Sequence, residues 1–243
     1  MALFVQCQQS KSGPAVDIPT LPIGSYPARL LSIVDLGLQA GSAQYPDDKL
    51  QMSLTFELSD EFLLDADGNE MKDEPRFLEL DVTYKEDGYM DDRSAIYKVW
   101  TALDGFNTPI HDLLGRPCMI SVDVGVSKKD KEYNKITSVS PMREKDAARL
   151  DPIVGETFLF SLDSNATLEA FNQCSTLKGD WSQQNKIKRA LNIWECAEPL
   201  ALALGLEKIA PPAEEDFDED VPEAVTDGGA VPEVDDEEDD PFA

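Results

Sequence analysis

The chain of 243 residues carries 48 acidic side chains against 21 basic ones, a formal charge of −27. That length provides for one large domain or two small ones with a sizeable core, while the charge speaks against nonspecific attraction to duplex nucleic acid or an anionic membrane. With no apolar run near the roughly 18 residues of a membrane span and no signal-peptide pattern, a soluble, cytoplasmic protein without membrane contact is expected.

Residues 1–23, with Lys11-Ser12-Gly13-Pro14, Pro19 and Pro22, read as a flexible arm. Residues 26–35 are apolar and β-branched and suit a first strand. Leu50, Met52, Leu54, Phe56 and Leu58 alternate with polar residues, the period of a half-buried strand. Leu78, Leu80, Val82 and Tyr84 repeat that period in a third strand. Between these strands, Asp65-Ala66-Asp67-Gly68-Asn69-Glu70 reads as a hairpin turn, because its glycine is too early for a calcium loop and its flanks look extended. Over residues 91–103, Ile96, Val99, Trp100 and Leu103 follow helical spacing up to Gly105. Cys118 to Val126 and Lys135 to Val139 are two further strands, joined by the polar segment 127–134.

Three strands, a helix and two strands are the succession of an OB-fold: a five-stranded barrel with a helix between strands three and four. The predicted fold class is therefore α+β and mainly β, with the barrel over residues 24–149. Residues 150–208 read as a helical extension packed on the barrel. In it Phe158-Leu159-Phe160 closes a short strand. A helix capped by Ser164 or Asn165 runs through Leu168 and Phe171, and a second follows Asp180 with Ile187, Leu191 and Trp194 on one face.

After Lys208 no basic residue occurs, and fifteen acids fall between Glu214 and Asp240, which leaves 33 acids against the 21 bases, a charge of −12, for the rest. Residues 209–243 cannot bury enough apolar surface to offset chain entropy and read as a disordered acidic tail. Its tip, Asp239-Asp240-Pro241-Phe242-Ala243, is either a solubilising end or a short linear motif whose aromatic enters a partner's pocket.

The parts of an enzyme are missing. His111 follows Pro109-Ile110 in a loop with no nucleophile motif nearby, and neither a phosphate loop nor a dinucleotide turn occurs. Cys7, Cys118, Cys174 and Cys196 are widely spaced, which suits reduced, mostly buried thiols better than a zinc site or disulfide framework. No enzymatic activity, cofactor or metal is expected.

A binding module has positive signals. Lys128, Lys129, Lys131 and Lys135 surround Tyr133 in the loop joining strands four and five. Lysines neutralise phosphates and a tyrosine ring stacks on any base; the plain alternative is a hairpin tip with lysines for solubility. Further candidates for a DNA path are Arg29, Tyr45, Lys49, Arg76, Phe77, Lys85, Tyr89 and Arg93. The basic residues Lys186, Lys188 and Arg189 extend such a path or form a solvated helix face.

A lysine-and-aromatic OB-like barrel followed by an acidic tail ending Asp-Asp-Pro-Phe resembles a single-stranded DNA-binding protein. The tail is similar to that of bacterial single-stranded DNA-binding proteins, although here Ala243 follows Phe242. The longer barrel, Gly24-Ser25-Tyr26-Pro27-Ala28-Arg29 and the helix ending Leu103-Asp104-Gly105 resemble the OB-fold proteins of tailed phages. The resemblance implies a protein that coats single-stranded DNA during phage replication, recombination or repair in the host cytoplasm. It also implies an autoinhibiting tail that recruits replication or recombination proteins through Asp239, Asp240, Pro241 and Phe242. Association with further copies of the chain stays open. The alternative is an acidic interaction protein, a DNA mimic or inhibitor of a host nucleic-acid-processing protein.

Overall fold

A computed structural model describes residues 19–208, apart from residues 44, 66, 128 and 129. Most of the expected arm, the acidic tail with its tip, and Lys128 and Lys129 lie outside the described residues.

Six strands form one sheet: β1 Gly24–Gln39, β2 Lys49–Leu64, β3 Glu70–Tyr84, β4 Pro117–Val126, β5 Glu132–Pro141 and β6 Phe158–Phe160. The helices are α1 Ala95–Ala102, α2 Glu144–Ala147, α3 Leu168–Gln173, α4 Gln183–Lys188, α5 Ile193–Cys196 and α6 Glu198–Ala203. The architecture is mainly β with helices, as the alternation predicts. The hydrogen-bonded order is β3-β2-β1-β4-β5, all antiparallel, with β6 added parallel to β1 through Ser32↔Phe158 and Val34↔Phe160.

The expected five-stranded barrel is corrected on two points. The sheet is open, since among the described residues no ladder joins β3 to β5. Instead α1 lies against both strands, and its buried Ile96, Val99 and Trp100 seal the core there. The sheet also gains β6, which pairs with β1 beyond the point where β4 leaves it at Arg29↔Pro117.

Local chemistry sets the elements. The Ser94 hydroxyl accepts the Tyr97 N–H at 3.2 Å and starts α1 at Ala95, one residue ahead of Ile96, the first apolar position of the spacing. At its end, Gly105 N–H bonds Trp100 O at 2.7 Å, and a Cβ at 105 would come within 2.7 Å of the Trp100 ring. The hairpin between β2 and β3 closes as expected, with Asp65 N–H bonded to Asn69 O at 2.9 Å and Asp65 Oδ1 accepting from Asp67 and Asn69.

There are two cores, and β1 serves both. Ala28, Leu30 and Ile33 join Leu54, Phe56, Leu58, Val82, Ile120 and Val139 in the first. Val34 and Leu36 join Phe160, Leu162, Phe171, Ile187, Ile193 and Leu200 in the second. Burying each such large side chain contributes about 1.5–3 kcal/mol. Along β1, one register irregularity falls at Leu30/Ser32 in the stretch of the first core and one at Asp35/Gly37 in that of the second. Gly37 has φ 72°, and a Cβ there would meet Leu162 Cδ2 at 2.6 Å, so only glycine fits where β1 meets the extension.

Inside the extension two expectations change. The cap of α3 is Thr167, whose hydroxyl accepts Ala170 N–H at 3.1 Å, in place of Ser164 or Asn165. The single helix after Asp180 is broken into α4 and α5, because Leu191 N–H turns away to bond Leu38 O of β1 at 2.8 Å. Leu191 is consequently exposed, while Ile187 is fully buried.

Candidate nucleic-acid interface

In β2 the polar row is as buried as the apolar one, where alternation predicts a solvated face. Ser53, Thr55 and Glu57 all lie inside, Glu57 at 3 % exposure. The extension covers them. Gln183, at the start of α4, donates to Ser53 Oγ and Thr55 Oγ1. Glu57 accepts Val154 N–H at 2.8 Å and Gly155 N–H at 2.7 Å, which satisfies a carboxylate that would otherwise be costly to bury. On neighbouring β3, Lys178 reaches Glu79 at 2.7 Å and Lys186 pairs with Asp81. The outward side of β2–β3 is therefore roofed by residues 178–186, through polar contacts. Lys186 is thus a roof contact and not part of a solvated helix face.

Past the edge of that roof, two lysine–tyrosine pairs come together. The β2–β3 register sets Leu50 opposite Tyr84, so Lys49 and Lys85 leave the same end of the strand pair, and Gln39 of β1 lies opposite Lys49. Lys49 Nζ sits 5.3 Å from the Tyr45 ring centre, and Lys85 Nζ 4.8 Å from that of Tyr89. The rings are 60 % and 59 % exposed. Several acids beside them serve turns: Asp48 Oδ1 accepts Gly41 N–H, Asp87 Oδ1 accepts Tyr89 N–H, and Asp91 Oδ1 accepts Arg93 N–H.

The hairpin of β4 and β5 projects from the other end of β1, since Gly24 pairs with Val122 and the ladder continues to Val126↔Glu132. Tyr133 lies over Gly125, where a Cβ would come within 2.7 Å of the ring, and it stays 49 % exposed. Lys131 is exposed, and its N–H closes the turn on Ser127 Oγ at 3.1 Å. Lys135 is paired with Asp123 at 3.4 Å. Of the predicted DNA-contacting residues, Tyr45, Lys49, Lys85 and Tyr89 thus lie at one end of β1 and Lys131, Tyr133 and Lys135 at the other.

The others have different surroundings. Arg29 is a tie inside the fold: it donates to the carbonyls of Gly115, Asp151 and Leu150 at 3.0, 3.1 and 3.4 Å. Arg76 sits beside Glu61 and Tyr26, and burial lowers its pKa. Phe77 is exposed opposite Glu57. Arg93 is exposed next to Asp92, at 4.0 Å. His111 lies in a 3-10 turn, Ile110–Leu113, exposed and 3.3 Å from Asp112. Among the described residues no three His, Cys, Asp or Glu side chains converge as metal ligands, and no helix is long and apolar enough to cross a membrane.

One prominent residue escaped the sequence reading. Trp181 is 71 % exposed, in a 3-10 turn at Gly179–Trp181 immediately before α4. Its signal was present as Lys178-Gly179-Asp180-Trp181, an aromatic just ahead of Lys186, Lys188 and Arg189. No protein-family model matches the chain, and no curated protein matches it.

Proposed function

We propose that the sheet is a partly open OB-type barrel and that the protein binds single-stranded DNA without strong sequence preference, as a non-enzymatic coat during phage replication or recombination. The strand order β3-β2-β1-β4-β5 with α1 between β3 and β4 supports the barrel reading, because such barrels are partly open by nature. The observation that carries the binding reading is the shared position of Tyr45–Lys49 and Lys85–Tyr89 at one end of β2–β3. Exposed rings accept bases of any identity, and cations beside them neutralise phosphates.

In this reading the fifteen acids of residues 214–240 compete with DNA for those cations. When DNA displaces them, Asp239, Asp240, Pro241 and Phe242 recruit replication or recombination proteins. The test is fluorescence polarisation with labelled oligo-dT and the full chain at two salt concentrations. Saturable binding that tightens as salt falls is expected. No binding at low salt, together with capture of a host nucleic-acid-processing protein through its basic site, would replace this reading with that of an acidic mimic.

A further inference from the structure

Where DNA-binding barrels of this kind offer the open side of strands two and three, this protein has built a roof. Ser53 and Thr55 are held by Gln183, Glu79 by Lys178, and Asp81 by Lys186. A strand of nucleic acid on that side therefore meets the roof's outer surface. That surface carries the exposed Trp181 and the exposed Arg189, whose guanidinium is bonded to the Asp180 carbonyl one residue before the tryptophan and to Asn185 O at 3.1 Å. Residues 178–189 hold Lys178, Lys186, Lys188 and Arg189 against the one acid Asp180. With Lys178 and Lys186 paired to Glu79 and Asp81, four cations stand against three acids, a local charge of +1 carried by the exposed Lys188 and Arg189.

The roof also leads to the cation–ring end of the sheet. Gln39 Nε2 donates to Lys186 O at 3.1 Å, and Gln39 is the β1 partner of Lys49. From Trp181 along α4 to Gln39, then to Lys49, Tyr45, Lys85 and Tyr89, rings and cations follow one another over connected elements. We propose that residues 178–189 form a base-stacking subsite for single-stranded nucleic acid, with Trp181 as the platform and Arg189 on a phosphate. This rests on the reading of the protein as a single-stranded DNA binder and extends its ligand's path from that end of the sheet onto the extension. An indole face stacks on any base, and the neighbouring positive charge suits a polyanion where the acidic remainder of the chain repels one.

Trp181 is 71 % exposed, whereas Trp100 is 7 % exposed and Trp194 is half-buried, so the change in intrinsic fluorescence should come chiefly from Trp181. Titration of the full chain with oligo-dT should quench emission, and Trp181→Phe should remove most of the quench. By polarisation of labelled oligo-dT, Trp181→Ala should lose roughly five- to hundred-fold in affinity, the range of one base stacked on one ring. Arg189→Ala should lower the salt slope by about 0.7, the value of one phosphate on a single strand. If wild type binds and Trp181→Ala binds equally well, the subsite is refuted while the DNA-binding reading stands. If wild type itself does not bind oligo-dT, both fall.

Discussion

The side-chain amide of Gln183 donates to two hydroxyls on adjacent outward positions of β2, Ser53 at 3.2 Å and Thr55 at 3.3 Å. All three residues are buried. One glutamine at the head of α4 thus fastens the extension to a strand surface whose sequence has the look of a solvated face. Gln183→Leu removes the shared donor and leaves both hydroxyls under the roof. A loss of roughly 1–3 kcal/mol is expected in urea unfolding, with an unchanged denaturant slope. An unchanged midpoint would mean that the roof is held elsewhere.

Asp60 and Glu61 give a pH-dependent counterpart. Partial burial raises both carboxyl pKa values, and at Glu61 the Asp60 carboxylate raises it further while Arg76 opposes. A carboxyl with a raised folded pKa binds its proton more readily when folded, so its penalty exists while it is ionised. That penalty disappears as pH falls through the folded pKa. Asp60→Asn should therefore raise the melting temperature at pH 7, and the gain should vanish in acid. A gain that persists at low pH would show that charge is not its source.

The thiols test the two cores separately. Burial pushes the Cys118 thiol up to about 12 and that of Cys174 to about 12 as well. Cys118 belongs to the first core and Cys174 to the second. Because the thiolate is the nucleophile, both should resist a disulfide reagent at pH 8 in the native protein and react at once in urea. Mass mapping of modified peptides resolves them. Fast native labelling of Cys174 alone would mean that the extension opens while the sheet stays closed.

Truncation after Lys208 removes all fifteen acids of residues 214–240 and no basic residue. The truncated chain should bind oligo-dT more tightly at low salt, and the gain should shrink as the Debye length falls from about 10 Å at 0.1 M to about 3 Å at 1 M. Phe242→Ala keeps the charge, so DNA affinity should stay the same while capture of replication proteins is lost. Equal affinity of full and truncated chains at low salt would remove autoinhibition from the account.

Much of the sheet was legible in the sequence, because Leu50 to Leu58 and Leu78 to Tyr84 keep the strand period and Ile96, Val99, Trp100 and Leu103 the helical one. The partner of β6 was not, since pairing of Phe158 with Ser32 across more than a hundred residues leaves no local mark. The roof was hidden for a similar reason. Ser53, Thr55 and Lys186 are residues that normally face water, and only the distant Gln183 and Asp81 give them partners under the extension. At the candidate site, residue types were readable and grouping was not: the Gly115 carbonyl that Arg29 meets and the Glu61 and Tyr26 beside Arg76 are distant in the sequence. Lys49 and Lys85 were brought together by strand register, and no sequence proximity announced them.

That grouping is also what the central claim depends on. The most direct measurement is the salt dependence of oligo-dT affinity for the full chain and for the Lys49→Ala/Lys85→Ala double variant. Each lysine that neutralises a phosphate on a single strand contributes about 0.7 to the slope of log affinity against log salt. The account predicts weaker binding by the double variant and a slope shallower by roughly 1.4. A double variant with the affinity and slope of wild type would contradict it, since the end of the sheet where Tyr45–Lys49 meets Lys85–Tyr89 would then carry no DNA.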